Sequence, residues 1–346
     1  MKLNKLIAQS LTKTNDAIPT GLESLDQMIG GLHPGHIYTI AGRPGMGCSA
    51  FTVTLARNIS ILGKVPTAFF SLDIPEDNIV KRLFAAEYGW NTHPSEIYAL
   101  SEELGKKIPT EKNTAPSIQK TSSSKELERA KAMMEKNGWD SKFDNDLGKT
   151  SHQPRKNYIQ LMKEAPLWIE HNLDFTVEEI LCRIERMKKS DNIRVVIIDG
   201  LWWLIASKTF VERDLLMQKI AQSAKKMNIA ILLTTVLNRE VEARGGDKRP
   251  MLSDIRGGLC SEVYSSVIMM LYRAEYYGIT EDWDGNSTRE MLEVIVVKNA
   301  FGKRGEIKLR FSGTASIEEC EPSSIEDDLQ DLSKKLRYLD DFDYPF

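Results

Sequence analysis

One segment constrains this chain more than any other: Gly42-Arg-Pro-Gly-Met-Gly47-Cys48-Ser49, set between an apolar run at 37–41 and a stretch with helical periodicity at 49–62. A strand, a glycine-rich turn and a helix in that order frame a phosphate-binding loop of the pattern G-x-x-x-x-G-K-[ST]. The glycines let backbone N–H groups wrap a phosphate, and the helix dipole favours its negative charge. Only the lysine is absent, and Cys48 stands in its place. Gly42, Arg43, Pro44, Gly45, Met46, Gly47, Cys48 and Ser49 are therefore the candidate nucleotide-binding residues, with the Ser49 hydroxyl able to hold Mg²⁺. A cysteine supplies no positive charge and is too short to reach a terminal phosphate.

Strand and helix signals alternate along the rest of the core. Strands are predicted at 67–72, 167–170, 194–199 and 230–235, with helices at 77–88, 177–189 and 214–227 between them. Apolar runs at 267–272, 292–298 and 306–311 complete the pattern. Alternation of this kind predicts an α/β fold with a mostly parallel central sheet flanked by helices, and with the phosphate-loop pattern it reads as a P-loop NTPase core. Asp199 ends one of the apolar runs, as the Walker B acid does, where it would bind Mg²⁺ through water. The core is expected over 18–315, after an N-terminal linker at 1–17 that carries Leu3, Leu6, Ile7 and Leu11 on one side of a short helix. Within the core, 95–157 is rich in Lys, Glu, Ser and Thr and reads as an inserted polar segment with a helix near 125–136. Residues 316–346 form an acidic C-terminal tail.

Composition narrows the function classes. A chain of 346 residues with 41% hydrophobic content can bury a sizeable core. Cys48, Cys182, Cys260 and Cys320 are widely spaced and contain no C-x-x-C pair, so neither a zinc site nor a disulfide framework is indicated. Net charge is -3 from 46 basic and 49 acidic residues, so contact with nucleic acid requires a local basic surface. No apolar run approaches the ~18–20 residues that span a bilayer, and the polar start lacks the apolar stretch of a secretory signal, which predicts a cytoplasmic protein.

Several segments, in order, resemble those of DnaB-family replicative DNA helicases, in their C-terminal RecA-like motor domain. They are Ile18-Pro-Thr-Gly-Leu-Glu-Ser-Leu-Asp26, Ala41-Gly-Arg-Pro-Gly-Met-Gly47 and Phe70-Ser-Leu-Asp-Ile-Pro75, then Leu237-Asn-Arg239, Arg249-Pro-Met-Leu-Ser-Asp-Ile-Arg256, Tyr272-Arg-Ala-Glu275 and Phe301-Gly-Lys-Arg-Gly-Glu-Ile-Lys-Leu-Arg-Phe311. The resemblance covers about 18–94 and 165–315. It implies ATP and Mg²⁺ as cofactors and a ring, usually hexameric, that encircles single-stranded DNA and moves along it. With the core beginning near residue 18, no counterpart of the family's N-terminal primase-interacting domain is expected, nor the primase contact it makes.

The same resemblance exposes departures at the catalytic positions. Where the family carries a catalytic glutamate, this chain has Asp73, and where it carries a γ-phosphate-sensing glutamine, Val236. Of the lysine and arginine finger that reach a neighbour's site, Lys298 is kept but Ala300 replaces the arginine. Asp73 and Asp199 alone are insufficient for catalysis, because transition-state charge is left without cations. This implies a hydrolysis-defective ring subunit, assembled with itself or with a related active helicase. The alternative is an active 5′–3′ helicase whose chemistry runs through Lys298, Lys303, Arg304 or Arg43.

The family's channel loop corresponds to 240–258, whose Arg244, Lys248, Arg249, Arg256, Gly257 and Gly258 are the candidate DNA-binding residues. Trp202 and Trp203 are expected in the core or at a subunit seam. The chain ends in Leu339-Asp-Asp-Phe-Asp-Tyr-Pro-Phe346, which resembles the C-terminal tip of bacterial single-stranded-DNA-binding proteins. Asp343, Tyr344, Pro345 and Phe346 would on that resemblance dock on replication or repair proteins, as an aromatic anchor with a free carboxylate.

Overall fold

Runs of apolar residues without polar alternation need cover on both faces, and the sheet is built to supply it. The computed structural model of the chain describes residues 16–88, 158–256, 259–282, 285–312 and 316–320. The helices expected near 3–11 and 125–136 and the tail residues Asp343 to Phe346 lie outside the described residues.

Among the described residues nine strands form one sheet: β1 (Ile37–Gly42), β2 (Thr67–Ser71), β3 (Leu167–His171), β4 (Val195–Asp199), β5 (Ala230–Val236), β6 (Val267–Tyr272), β7 (Met291–Asn299), β8 (Gly305–Ser312) and β9 (Ser316–Glu319). Their order is β3-β2-β4-β5-β1-β6-β7-β8-β9. Strands β3 to β6 in that order run parallel, and β7, β8 and β9 continue antiparallel. Every residue of β1, β2, β4 and β6 is buried. Helices α1 (Glu23–Ile29), α2 (Cys48–Ala56), α3 (Glu76–Tyr88) and α4 (Tyr158–Lys163) contribute to the core on one face, which contains Leu25, Phe51, Leu55, Ile79, Leu83 and Tyr158. Helices α5 (Val177–Ser190), α6 (Leu201–Ile205) and α7 (Phe210–Met227) cover the other with Ile180, Ile184, Leu204, Met217 and Ile220. The short helices α8 (Glu240–Ala243) and α9 (Leu259–Tyr264) follow β5.

Local sequence explains where the covering helices begin. The Thr176 hydroxyl accepts the Glu179 N–H while the Glu179 carboxylate accepts the Thr176 N–H, and Thr209 and Glu212 repeat the device on α7. Because that cap lies at Thr209, α7 starts four residues before the expected 214. Helix α6 was not foreseen, since Leu201-Trp-Trp-Leu-Ile205 is too short to show a period. Strand β9 lies in the stretch assigned to the tail: Ile317 pairs with Phe311 and is buried, so the sheet runs past 315. The expected helix at 49–62 is α-helical only to Ala56 and continues as a π-helix, Arg57–Leu62.

That π-helical segment fixes the position of α3. Arg57 donates from Nη2 to Glu87 of α3 in a buried ion pair, and its guanidinium lies 5.9 Å from the centre of the Tyr158 ring. Removing one partner of such a pair leaves a buried charge uncompensated, a loss of about 3–5 kcal/mol. Glu87→Ala is therefore expected to lower unfolding free energy by about that amount in urea titrations. A change below about 1 kcal/mol would mean that the pair does not hold α3.

Candidate nucleotide-binding site

Parallel strands in an open α/β sheet present their carboxyl ends to ligands. The register places Gly42 of β1 beside Val236 of β5, and Ser71 of β2 beside Asp199 of β4. The loops leaving these ends enclose a cleft of about 540 Å³, lined by the glycine loop together with Asp73, Arg82, Asp199, Trp203, Thr235 and Val236. Gly45 and Gly47 take φ of 88° and 92°, which leaves the loop in a left-handed path before α2 begins. Each is backed by an aromatic ring: a Cβ on Gly45 would lie 2.7 Å from Tyr276, and one on Gly47 2.9 Å from Phe311. A Cβ on Gly42 would lie 2.6 Å from the sulfur of Cys48, so the thiol is folded back against the end of β1. Burial, reinforced by the Asp199 charge, pushes the Cys48 thiol up to about 12, so it stays protonated and neutral.

The buried carboxylate of Asp199 is held by hydroxyls. Thr234 donates from Oγ1 to Asp199 Oδ1 at 2.7 Å, and its oxygen accepts the Gly200 N–H at 2.6 Å. The single Thr234 proton is thereby committed to Asp199. The Ser49 hydroxyl borders the same cleft and acts to lower the Asp199 pKa. Burial raises the Asp199 pKa; the two hydroxyls and the Arg82 charge oppose the rise, and the Asp73 charge adds to it. Ser49 and Asp199 provide hard oxygen donors suited to Mg²⁺, which in such sites keeps waters and substrate phosphate oxygens as its other ligands. Among the described residues there is no cluster of three or more His, Cys, Asp or Glu able to hold a metal without those ligands.

Two cations line the cleft, and one of them is engaged elsewhere. Arg43 donates to Glu242 Oε1 from Nε at 3.0 Å and from Nη2 at 2.9 Å, and to the Leu237 carbonyl at 2.9 Å. Arg82, carried by α3, contributes its charge to Asp199. It is absent from the sequence-derived candidates. Its signal lay in α3 itself, where Ile79 and Leu83 are buried and Arg82 flanks that face, directly after the loop bearing Asp73. Asp73 is exposed and Val236 half-buried, and both border the cleft.

The trans-acting candidates occupy a different surface. Lys298, Lys303 and Arg304 border a groove of about 730 Å³ beside Leu252 and Glu262. Lys298 donates from Nζ to the Glu262 carbonyl at 2.6 Å, while Ala300, Lys303 and Arg304 are exposed. The turn between β7 and β8 is held to the chain's own core: Phe301 stacks on His33 at 4.0 Å, and Asn299 donates from Nδ2 to the Met28 and Lys303 carbonyls at 2.9 and 2.8 Å.

The basic residues of 240–256 are also engaged. Arg244 pairs with Asp254 at 2.6 Å, and Arg249 with Glu293 at 2.6 Å and with Glu306. Lys248 lies 5.1 Å from the centre of the Tyr277 ring. Arg256, which is exposed, lies over Trp202 at 4.2 Å, with Arg213 at 5.3 Å from the same ring. Gly257 and Gly258 lie outside the described residues. Trp203 is not a core residue: it is 61% exposed and borders the cleft.

A family model described as the DnaB-like helicase C terminal domain matches residues 17–136 and 122–317. The chain is 26% identical over 303 residues to the replicative DNA helicase DnaB of Leifsonia xyli subsp. xyli, covering 86% of this chain and 55% of that protein. It is 25% identical over 299 residues to the namesake of Geobacillus stearothermophilus, covering 85% of this chain and 54% of the relative. The chain thus spans about half the length of these curated relatives. Among solved structures it is similar in fold to a DnaB-like replicative helicase described with its interactions with primase, with a TM-score of 0.66 and 21% identity over 92% of this chain and 68% of that one. A solved ATPase domain is similar in fold, with a TM-score of 0.65 and 21% identity over 92% of this chain and 96% of that one. No helix among the described residues is long and apolar enough to cross a membrane.

The raised Asp199 pKa has a consequence for stability. Above the ordinary value of 3.8 the unfolded chain releases the proton while the folded chain retains it, so stability falls as pH rises through that window. Asp199→Asn keeps an oxygen acceptor for Thr234 and removes the buried charge. Its thermal midpoint without nucleotide is expected to exceed that of the natural protein at pH 7, by about 2–4 °C for each kcal/mol of relief, with the gap closing toward pH 4. A gap that does not change with pH would contradict this.

Proposed function

The chain belongs to the family of DnaB-like helicase C-terminal domains, and on that premise we propose that it is a hydrolysis-defective ring subunit that holds nucleotide and single-stranded DNA in replication or repair. The carrying observation is the poverty of positive charge around the cleft. Cys48 is neutral and folded onto Gly42, Arg43 is drawn away by Glu242, and Val236 offers no donor. Arg82 remains as the cation beside Asp199. The glycine loop, the start of α2 and Ser49 still suit a phosphate. Phosphoryl transfer, by contrast, accumulates charge that a lysine and a finger stabilise, and a finger alone contributes about 10³–10⁵ in rate. At position 300 the side chain is a methyl group.

This reading has ring neighbours supplied by further copies or by a related active helicase. Lys298 would face the neighbour's nucleotide from β7, whereas Phe301 is committed to His33 and His36. Lys303 and Arg304 extend from the exposed side of the turn and are the remaining candidates for reaching across a subunit boundary.

A steady-state ATPase assay with single-stranded DNA tests the catalytic part. Turnover below about 0.01 s⁻¹ is expected, some 10³-fold under a typical ~10 s⁻¹. Turnover at about 1–10 s⁻¹ would overturn the reading in favour of an enzyme with rearranged residues. The DNA-binding part is tested by a salt titration. With Arg244 and Arg249 neutralised by carboxylates, Lys248 and Arg256 are left to meet phosphates, and at roughly 0.7 per phosphate contact the slope of log K against log salt is expected to be about -1.4 per subunit. A slope of about zero would remove single-stranded DNA from the proposal.

A further inference from the structure

We infer that Glu293 and Glu306 stand in for nucleic-acid phosphates on Arg249 and withhold it from single-stranded DNA, an inference that rests on the reading of 240–258 as the DNA-binding stretch. The strand register builds the arrangement. Tyr272 of β6 pairs with Glu293 of β7, and Glu293 with Lys308 of β8, so the three side chains form one row on one face of the sheet. Two residues before Lys308, Glu306 returns to that face, diagonally across from Glu293. The stretch after β5 is folded over the same face, where Leu252 and Ile255 pack with Ile268, Met270 and Ile295. Its tip is fixed by Tyr272, whose hydroxyl donates to the Asp247 carbonyl, and by Lys248, whose φ of 58° makes a left-handed turn into Arg249. Arg249 then reaches both carboxylates, Glu293 at 2.6 Å and Glu306, with its guanidinium 5.5 Å from the centre of the Tyr272 ring.

Charge and exposure separate this contact from the other ion pairs of the stretch. One carboxylate neutralises one guanidinium, and here two converge on it. The charged side chains that share the cluster are Glu293, Glu306, Asp247 and Asp282 against Arg249, Lys248 and Lys308, so the acids are one in excess. Lys308 does not relieve that excess, because Asp282 holds it at 3.1 Å. The flanking pairs of Arg244 with Asp254 and of Arg43 with Glu242 are neutral. A phosphate approaching Arg249 is therefore met by two anions already bound to it. Asp254, the partner of Arg244, is only 6% exposed and also accepts the Met251 N–H at 2.6 Å, so that pair belongs to the fold. Glu306 is 50% exposed and Arg249 34%, so the outer half of the second cluster faces water. Exchanging Glu306 for a phosphate oxygen replaces one solvent-screened anion with another and leaves Glu293 and the apolar seat in place. Only the guanidinium has to turn.

Fluorescence anisotropy of a labelled single-stranded thymidine oligonucleotide, titrated with the full chain over a salt series, tests the proposal. Glu306→Gln keeps the size of the side chain and removes its charge. It is expected to add one phosphate contact, moving the slope of log K against log salt from about -1.4 to about -2.1 and raising affinity about fivefold at ~0.1 M salt. The same change in a chain that carries Arg249→Gln and Glu293→Gln, a background with no buried charge left unpaired, is expected to alter affinity less than about 1.5-fold. In an Arg256→Gln background the full gain is expected to persist, because Arg256 lies over Trp202 instead. Equal gains with and without Arg249 would overturn the proposal, since the effect would then be one of overall charge. An unchanged slope in Glu306→Gln would overturn it too, and either result leaves DNA binding by the natural protein standing. Slopes of about zero for the natural protein and Glu306→Gln alike would remove single-stranded DNA itself, and the proposal with it.

Discussion

A carboxylate buried at the end of a strand must be bonded or neutralised, and in this protein the Thr234 hydroxyl of β5 donates to Asp199 at 2.7 Å. The Ser49 hydroxyl, at the start of α2, also opposes the rise in the Asp199 pKa that burial causes. The glycine loop, the acidic strand end and the neighbouring strand thus meet around one carboxylate. The sheet makes this possible. Only a parallel register that sets Ile198 beside Leu233 brings residue 199 and residue 234 to the same edge. Thr234 has a further property: because it accepts from Gly200, its own proton has one destination, which orients the carboxylate.

Legibility in the sequence differed sharply between fold and site. Strands were readable because β1, β2, β4 and β6 are continuous apolar runs, and the principal helices because of their period, whereas the start of α7 was missed because its cap at Thr209 was not read. The short α6 and the strand β9 were not readable, since five or four residues carry too little period. The site was readable where chemistry is written locally, as in the glycine loop and Asp199. Arg82 was hidden because its relevance depends on how α3 lies over the strand ends, and that is set by a distant ion pair between Arg57 and Glu87. Thr234 was hidden for the same kind of reason: a threonine in a buried strand reads as a β-former until its neighbour is known.

Basic residues illustrate the limit most clearly. Along the sequence, Arg244, Lys248, Arg249 and Arg256 read as a positive stretch, but a linear charge count ignores partners. In three dimensions Asp254 of the same stretch answers Arg244, and Glu293 and Glu306 from farther along the chain answer Arg249. Arg43 follows the same rule, being part of the glycine loop by position and a partner of Glu242 by contact. Trp203 shows the converse. An aromatic residue next to a buried strand end suggests the interior, yet α6 turns it outward to the cleft rim.

The clasp that Arg43 makes on Glu242 and on the Leu237 carbonyl joins the glycine turn to the segment that leads into 240–256. Two regions sharing one guanidinium are not independent springs. A load that draws the arginine toward an anion slackens its hold on α8, and a pull on α8 withdraws it from the anion. Thermodynamic reciprocity then requires that whatever free energy passes in one direction passes equally in the other. Such a linkage would let one end of the chain report what has been bound at the other.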